Sequence, residues 1–285
     1  MTGLVVEYGR HRALDGLDLD IPASGLFGLL GRNGAGKTTT IRAVAGLVKP
    51  SAGAVSVLGT DPLSDAGTRR RLSVLFAEDG LVVNMTAMEN LIAWGAVNCI
   101  SPSAARPLAA TALDRLGLPV RDRRLVRDMS TGARRMLALA RTFMLDRELV
   151  LLDEPTASLD PVKAEEARAM LKDLASDRPV LLSTHNLSEA EDLCGIVAII
   201  HLGRVVFCGK PGMAGPDGAF ELRTEDGALS WRGREFSPDG TGLFYLDSGM
   251  GPAETLGELI SSGVRVAEFR PKRHSLADVF RELAG

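Results

Sequence analysis

Apolar and polar positions along the chain change period several times. "GLFGLLG", Gly25 to Gly31, is an apolar run entering a glycine cluster. "KTTTIRAVAGLV" behind it has helical spacing, so the stretch predicts strand, loop and helix. "AVSVLG", Ala54 to Gly59, predicts another short strand. From Thr86 to about Asp146 the pattern turns helical through "TAMENLIAWGAV", "ARPLAATALDRLGL" and "MSTGARRMLALARTFM". "ELVLLD" and "PVLLST" are short continuous apolar runs, the pattern of central parallel strands covered on both faces. "SEAEDLC" predicts a helix, and "IVAIIHLGRVVFCG" a hairpin turning at Gly203-Arg204. The Gly/Pro-rich "GKPGMAGPDG" predicts a linker, taken as residues 211–218. Beyond it, "AFELRTEDGALSWRG" and "GLFYLDSG" alternate like strands. "PAETLGELISSG" and "SLADVFRELAG" carry helical stripes, the second through Leu276, Val279, Phe280 and Leu283. The expected organisation is a large α/β domain over residues 1–210 and a small α+β appendix over 219–285. At that size the appendix is expected to pack on something rather than stand alone.

Composition narrows the classes. The chain has 285 residues and a formal charge of −3, with no basic tail and no block of like charge, so a nucleic-acid partner is not expected. The start has no basic n-region followed by an apolar h-region. No apolar run approaches the ~20 residues of a membrane helix. A soluble protein is expected, reaching a membrane only through a partner. Three cysteines lie far apart, and four histidines form no metal-ligand spacing.

"GRNGAGKT", Gly31 to Thr38, fits G-x-x-x-x-G-K-[ST] between a strand and a helix. Such a loop curls its N–H groups around phosphate oxygens at a helix N-terminus. Lys37 is placed to reach the β- and γ-phosphates and Thr38 to ligate Mg²⁺. The alternative is a glycine turn with a chance lysine. "LVLLDEP" ends in Asp153 and Glu154. One acid at a strand end can hold Mg²⁺, and its neighbour can accept a proton from water. Two solvated acids at a strand end are the plainer alternative. His185 follows the next strand, where active residues of such sheets collect.

In this order the motifs resemble the ATP-binding subunit of an ATP-binding-cassette (ABC) transporter over about residues 4–210. "GRNGAGKTT", Gly31, Arg32, Asn33, Gly34, Ala35, Gly36, Lys37, Thr38 and Thr39, resembles Walker A. "LVLLDEP" resembles Walker B, with Glu154 catalytic and Asp153 at the metal. "SLD" resembles the D-loop, and His185 the switch histidine. Tyr8 resembles the aromatic that stacks on adenine. The family's signature is usually Leu-Ser-Gly-Gly-Gln; here "MSTGA" keeps Ser130 and Gly132 and departs at Thr131 and Ala133.

The resemblance implies a P-loop α/β core with an inserted helical subdomain at about residues 86–147. It implies ATP and Mg²⁺ as ligands. Two subunits, identical or not, would face head to tail, with Ser130 and Gly132 touching the γ-phosphate of the opposite site. Where the family usually has a glutamine, the chain has Ala77 and Glu78, so Glu78 is a candidate contact to Mg²⁺ or water as well as a plain loop acid. The C-terminal "HSLADVFRELAG" resembles the end of ABC-2-type drug-exporter ATPases. The implied function is ATP hydrolysis that powers a separate transmembrane permease, most readily an exporter, at the inner face of the membrane. The rivals are a non-transport ABC ATPase and an ATP-binding structural or regulatory subunit with a weakened site.

Overall fold

The computed structural model describes residues 1–211, 219–239, 241–271, 276, 277 and 280. It divides into two compact units, Met1–Lys210 and Pro211–Gly285. Of the segment expected as a linker at 211–218, only Pro211 is described. Of the closing helix expected through Leu283, only Leu276, Ala277 and Phe280 are, so Val279 and Leu283 lie outside the described residues.

The first unit opens with an antiparallel hairpin, β1 (Thr2–Tyr8) and β2 (His11–Leu17). Then come β3 (Gly25–Leu30), α1 (Lys37–Val44), β4 (Ala52–Ala54), α2 (Ala66–Arg70) and β5 (Leu72–Leu75). Three helices leave the sheet here: α3 (Ala87–Val97), α4 (Pro102–Arg115) and α5 (Thr131–Phe143). The chain returns through β6 (Leu149–Asp153), α6 (Pro161–Leu174), β7 (Pro179–Thr184), α7 (Leu187–Leu193), β8 (Ile196–His201) and β9 (Arg204–Gly209).

The helices begin where side chains can cap them. Thr86 and Glu89 form a reciprocal capping box on α3, Ser101 with Pro102 opens α4, Ser130 caps α5, and Asp160 with Pro161 opens α6. α3 and α4 cross closely because Gly95 has no side chain; a Cβ there would lie 2.6 Å from that of Ala105.

The central sheet has the order β5-β6-β7-β3-β8-β9, parallel except for β9 at the edge. β6 is buried throughout, and β3 and β7 are buried beyond their first residues, which is why they read as continuous apolar runs. Their register sets Leu30 beside Thr184 and Asp153 beside Ser183, so three carboxyl ends lie together at one edge. A second, small sheet, β2-β1-β4, packs its Leu4, Val6, Leu14 and Leu17 into the core with Phe27, Leu29 and Ile41.

Two sequence expectations shift. Ala54–Gly59 is not a strand. β4 ends at Ala54 and the chain turns through Leu58 (φ 51°) and Gly59 (φ 88°). Val55 and Val57 are buried, so their alternation recorded burial rather than an extended backbone. The β8–β9 hairpin turns at Leu202-Gly203, one residue earlier than expected. Both residues have positive φ, as a type I′ hairpin turn requires.

The second unit places β10 (Ala219–Thr224) between two antiparallel strands yet to come along the chain. The hairpin β11 (Leu229–Trp231) and β12 (Arg234–Phe236) follows it. Next come β13 (Phe244–Asp247), α8 (Pro252–Ser261) and β14 (Val266–Pro271), giving the sheet order β13-β10-β14. Phe220, Leu222, Trp231, Phe244, Leu246 and Leu259 form a hydrophobic cluster within this unit.

Candidate active site

The loop between β3 and α1 is shaped by what surrounds it. A Cβ on Gly31 would lie 2.6 Å from the Ile200 carbonyl oxygen. Gly36, at φ 116°, would bring a Cβ within 2.8 Å of Leu14 and 2.9 Å of the Ala13 oxygen. Only glycine fits these positions. Arg32, Asn33 and Gly34 are exposed at the crest, while Ala35, Gly36, Lys37 and Thr39 are buried beneath. Gly36 opens α1 without a side-chain cap, and no acid occupies the first turn. The helix's first N–H groups and its positive end are left for an anion.

Lys37 is only 6% exposed. Its Nζ donates to the Gly31 oxygen at 2.7 Å and lies 3.5 Å from Glu154 Oε1. Thr38 Oγ1 donates to Asp153 Oδ2 at 2.7 Å, and Ser183 donates to the other oxygen of Asp153. Asp153 is 1% exposed. Thr38 and Asp153 thus offer oxygen donors beside an anion site. That is a donor set for Mg²⁺, which takes one or two carboxylates and completes its shell with phosphate and water. The described residues hold no group of three or more His, Cys, Asp or Glu suited to a metal, and such a site needs none.

Glu154 stands at φ 51°, rare for a residue with a side chain. Its N–H donates to the Ser183 carbonyl and to Ser183 Oγ, both at 3.1 Å. Its second carboxylate oxygen meets His185 Nδ1 at 2.8 Å. Lys37, Thr38, Asp153, Glu154 and His185, spread over about 150 positions, therefore form one cluster held by the ends of β3, β6 and β7. A carboxylate fixed between an ammonium and an imidazole, beside a phosphate cradle, is placed to take a proton from a water attacking a phosphoryl group.

The other candidates lie outside this cluster. Tyr8 is exposed at the end of β1, paired with His11, on the hairpin whose Ala13 and Leu14 back the loop at Gly36. Ser130 is exposed, its Oγ accepting from the Ala133 N–H at 3.2 Å. The atoms nearest a Cβ on Gly132 are those of Lys163, at 3.5 Å, and the Ser158 oxygen, at 3.7 Å, not atoms of the phosphate loop. Glu78 is exposed; its neighbour Asp79, not Glu78, faces the buried Arg135, at 3.7 Å.

A family model described as ABC transporter matches residues 14–157. The chain belongs to the ABC transporter family. The daunorubicin/doxorubicin resistance ATP-binding protein DrrA of Streptomyces peucetius is 40% identical over 74% of this chain and 64% of its own length. The bacitracin transport ATP-binding protein BcrA of Bacillus licheniformis is 36% identical over 72% and 67%. The Nod factor export ATP-binding protein I of Cupriavidus pinatubonensis is 36% identical over 98% of this chain and 88% of its own length. The fold matches that of a dimeric ATP-binding cassette in a post-hydrolysis state with ADP and Pi. The TM-score is 0.67 at 23% identity, covering 73% of this chain and 97% of that one. The P-loop fold and the family implied by the motifs are borne out.

Two groups of this ABC cassette escape a reading by motif. Glu189 is buried on α7 and accepts from Thr184 Oγ1 at 2.7 Å and from Thr156 Oγ1, tying the residues beside His185 to those beside Glu154. Its signal was an acid one helical turn beyond His185. Arg135 is 4% exposed, with its guanidinium among backbone carbonyls. Its signal was a charge four positions before Leu139, on the apolar face of α5.

Proposed function

We propose that this chain is the ATP-binding and ATP-hydrolysing subunit that drives a separate membrane-embedded exporter subunit. The observation that carries this is the contact of Glu154 with both Lys37 and His185. The names of DrrA, BcrA and the Nod factor protein, all resistance, transport or export ATP-binding proteins, support the transport role. No helix among the described residues is long and apolar enough to cross a membrane.

In this reading the N–H groups of residues 34–38 and the Lys37 ammonium bind the phosphates, and Tyr8 stacks on the adenine. Thr38 and Asp153 would hold Mg²⁺, which neutralises charge on phosphate oxygens; Glu78 is not needed. Glu154 accepts the proton of the attacking water, and His185 fixes the orientation of its carboxylate. Ser130, Gly132 and the N-terminus of α5 serve the site of a second subunit; in its own chain Gly132 lies nearest Ser158 and Lys163 rather than the phosphate loop. The protein works at the inner face of the membrane, held there by its permease.

Glu154→Gln tests the core of this. It is expected to bind ATP, to accumulate as an ATP-bound dimer on a sizing column, and to turn over ~10²- to 10⁴-fold more slowly. Turnover near wild type would remove Glu154 from the role of base. Chelation of Mg²⁺ is expected to stop hydrolysis in the wild type.

A further inference from the structure

The guanidinium of Arg135 has five N–H groups, and each finds a carbonyl. Nε donates to Pro155 O at 3.1 Å. Nη2 donates to Asp153 O and Glu154 O, both at 2.7 Å. Nη1 donates to Phe76 O at 2.8 Å and Ala77 O at 3.3 Å, with the Asp79 carboxylate 3.7 Å away. Three of the five acceptors are consecutive carbonyls around the proposed base. Packing alone does not ask for this, because an apolar side chain of similar size would fill the same space without burying a charge.

The carbonyls of residues 153–155 surround Glu154 at φ 51°, a conformation a side-chain-bearing residue keeps only when its surroundings over-determine it. Ser183 holds the N–H side of that residue, and Arg135 holds the carbonyl side. Arg135 also stands three residues beyond Gly132, one turn along the same helix, whose N-terminal end carries Ser130. One side chain therefore joins the helix that carries Ser130 and Gly132 to the backbone of the residue that bears the proposed base.

We propose that Arg135 is a positioning residue that sets the backbone of Glu154 from α5, so that the placement of the base follows the placement of the helix that meets the opposite nucleotide. The inference rests on Glu154 acting as the base. Lysine keeps the charge but has a single nitrogen with three donors and cannot form the fork, so Arg135→Lys separates charge from geometry.

The test uses the full chain in four forms: wild type, Arg135→Lys, Glu154→Gln and the double variant. Arg135→Lys is expected to keep its KM for ATP within about 3-fold while kcat falls ~10- to 100-fold, the scale of a misplaced reacting group. In the Glu154→Gln background the same change should alter residual turnover less than about 2-fold, because groups acting as a unit are not additive. A stability defect alone would instead multiply with Glu154→Gln.

Amide hydrogen exchange gives a readout that needs no turnover. ATP added to Glu154→Gln should protect residues 153–156, and in the double variant that protection should be lost while residues 31–44 stay protected. Equal protection in both, or wild-type kcat in Arg135→Lys, overturns the role of Arg135. Wild-type turnover in Glu154→Gln instead overturns the assignment of the base. Arg135→Gln, which lacks the charge, should show the same kcat loss; an intact kcat there also overturns the proposal.

Discussion

Gly28, in the middle of the strand that delivers the phosphate loop, sits under the thiol of Cys194. A Cβ at Gly28 would lie 2.8 Å from Cys194 Sγ and 3.1 Å from Val197 Cγ1. Ordinary contacts between such atoms lie near 3.5–4.0 Å, so Gly28→Ala forces a displacement of roughly 1 Å inside a buried sheet. Overpacking of this kind costs about 1–3 kcal/mol. For a unit of this size that lowers the melting temperature by roughly 2–12 °C. Cys194→Ala alone leaves a methyl-sized gap, worth about 1 kcal/mol. No charge is lost with it, because burial, aided by the nearby charge of Glu189, pushes the thiol up to about 12 and keeps it protonated.

Combined, the two changes exchange a sulfur for a methyl at nearly constant volume. The double variant should therefore fall within about 1.5 kcal/mol of wild type. The coupling is favourable by about 1–3 kcal/mol, well above the few tenths at which independent sites add. Thermal melts of the four proteins, paired with ATP titrations, check it. Additive losses would refute the claim that Gly28 is glycine because of Cys194.

Lys37→Ala should weaken ATP binding by roughly 10- to 100-fold, the scale of a charge-assisted hydrogen bond, by titration. Gly132→Asp should leave the monomer at least as stable, because an acid in the first turn suits the helix dipole by ~0.3–1 kcal/mol and meets Lys163. The same variant should abolish ATP-driven dimerisation on a sizing column; an unchanged dimer would mean that α5 faces no phosphate. A chain ending at Lys210 should melt cooperatively and still bind ATP, because the hydrophobic cluster under the phosphate loop lies within Met1–Lys210. Loss of folding there would show that the second unit completes the first.

Sequence spacing was most legible where burial is complete. β3, β6 and β7 declare themselves because they are buried beyond at most a first residue, and the motifs at their ends carry the cluster of Lys37, Asp153, Glu154 and His185. Short or more exposed elements were harder. β5 (Leu72–Leu75) alternates weakly, and α6 shows itself mainly through its Asp160-Pro161 start. Ala54–Gly59 alternated like a strand because Val55 and Val57 face the core from a turn. Arg135 and Glu189 stayed hidden for another reason. Their partners are backbone carbonyls and threonine hydroxyls 5 to 59 positions away, and no motif records a carbonyl.

The strand order has a consequence for synthesis. Within the central sheet β3 pairs only with β7 and β8, both of which lie far downstream. On a ribosome making ~5–20 residues per second, the strand ahead of the phosphate loop waits roughly 8–30 s for its first neighbour, about 150 residues later. Until then its edges are bare and the loop has no Walker B acid in register beside it. A nascent chain stopped between Thr39 and Pro179 therefore holds the phosphate motif in full but not the strand that sets it beside Asp153 and Glu154. The cluster of Lys37, Asp153, Glu154 and His185 is thus assembled by strands made later, not by the segment that carries the phosphate motif.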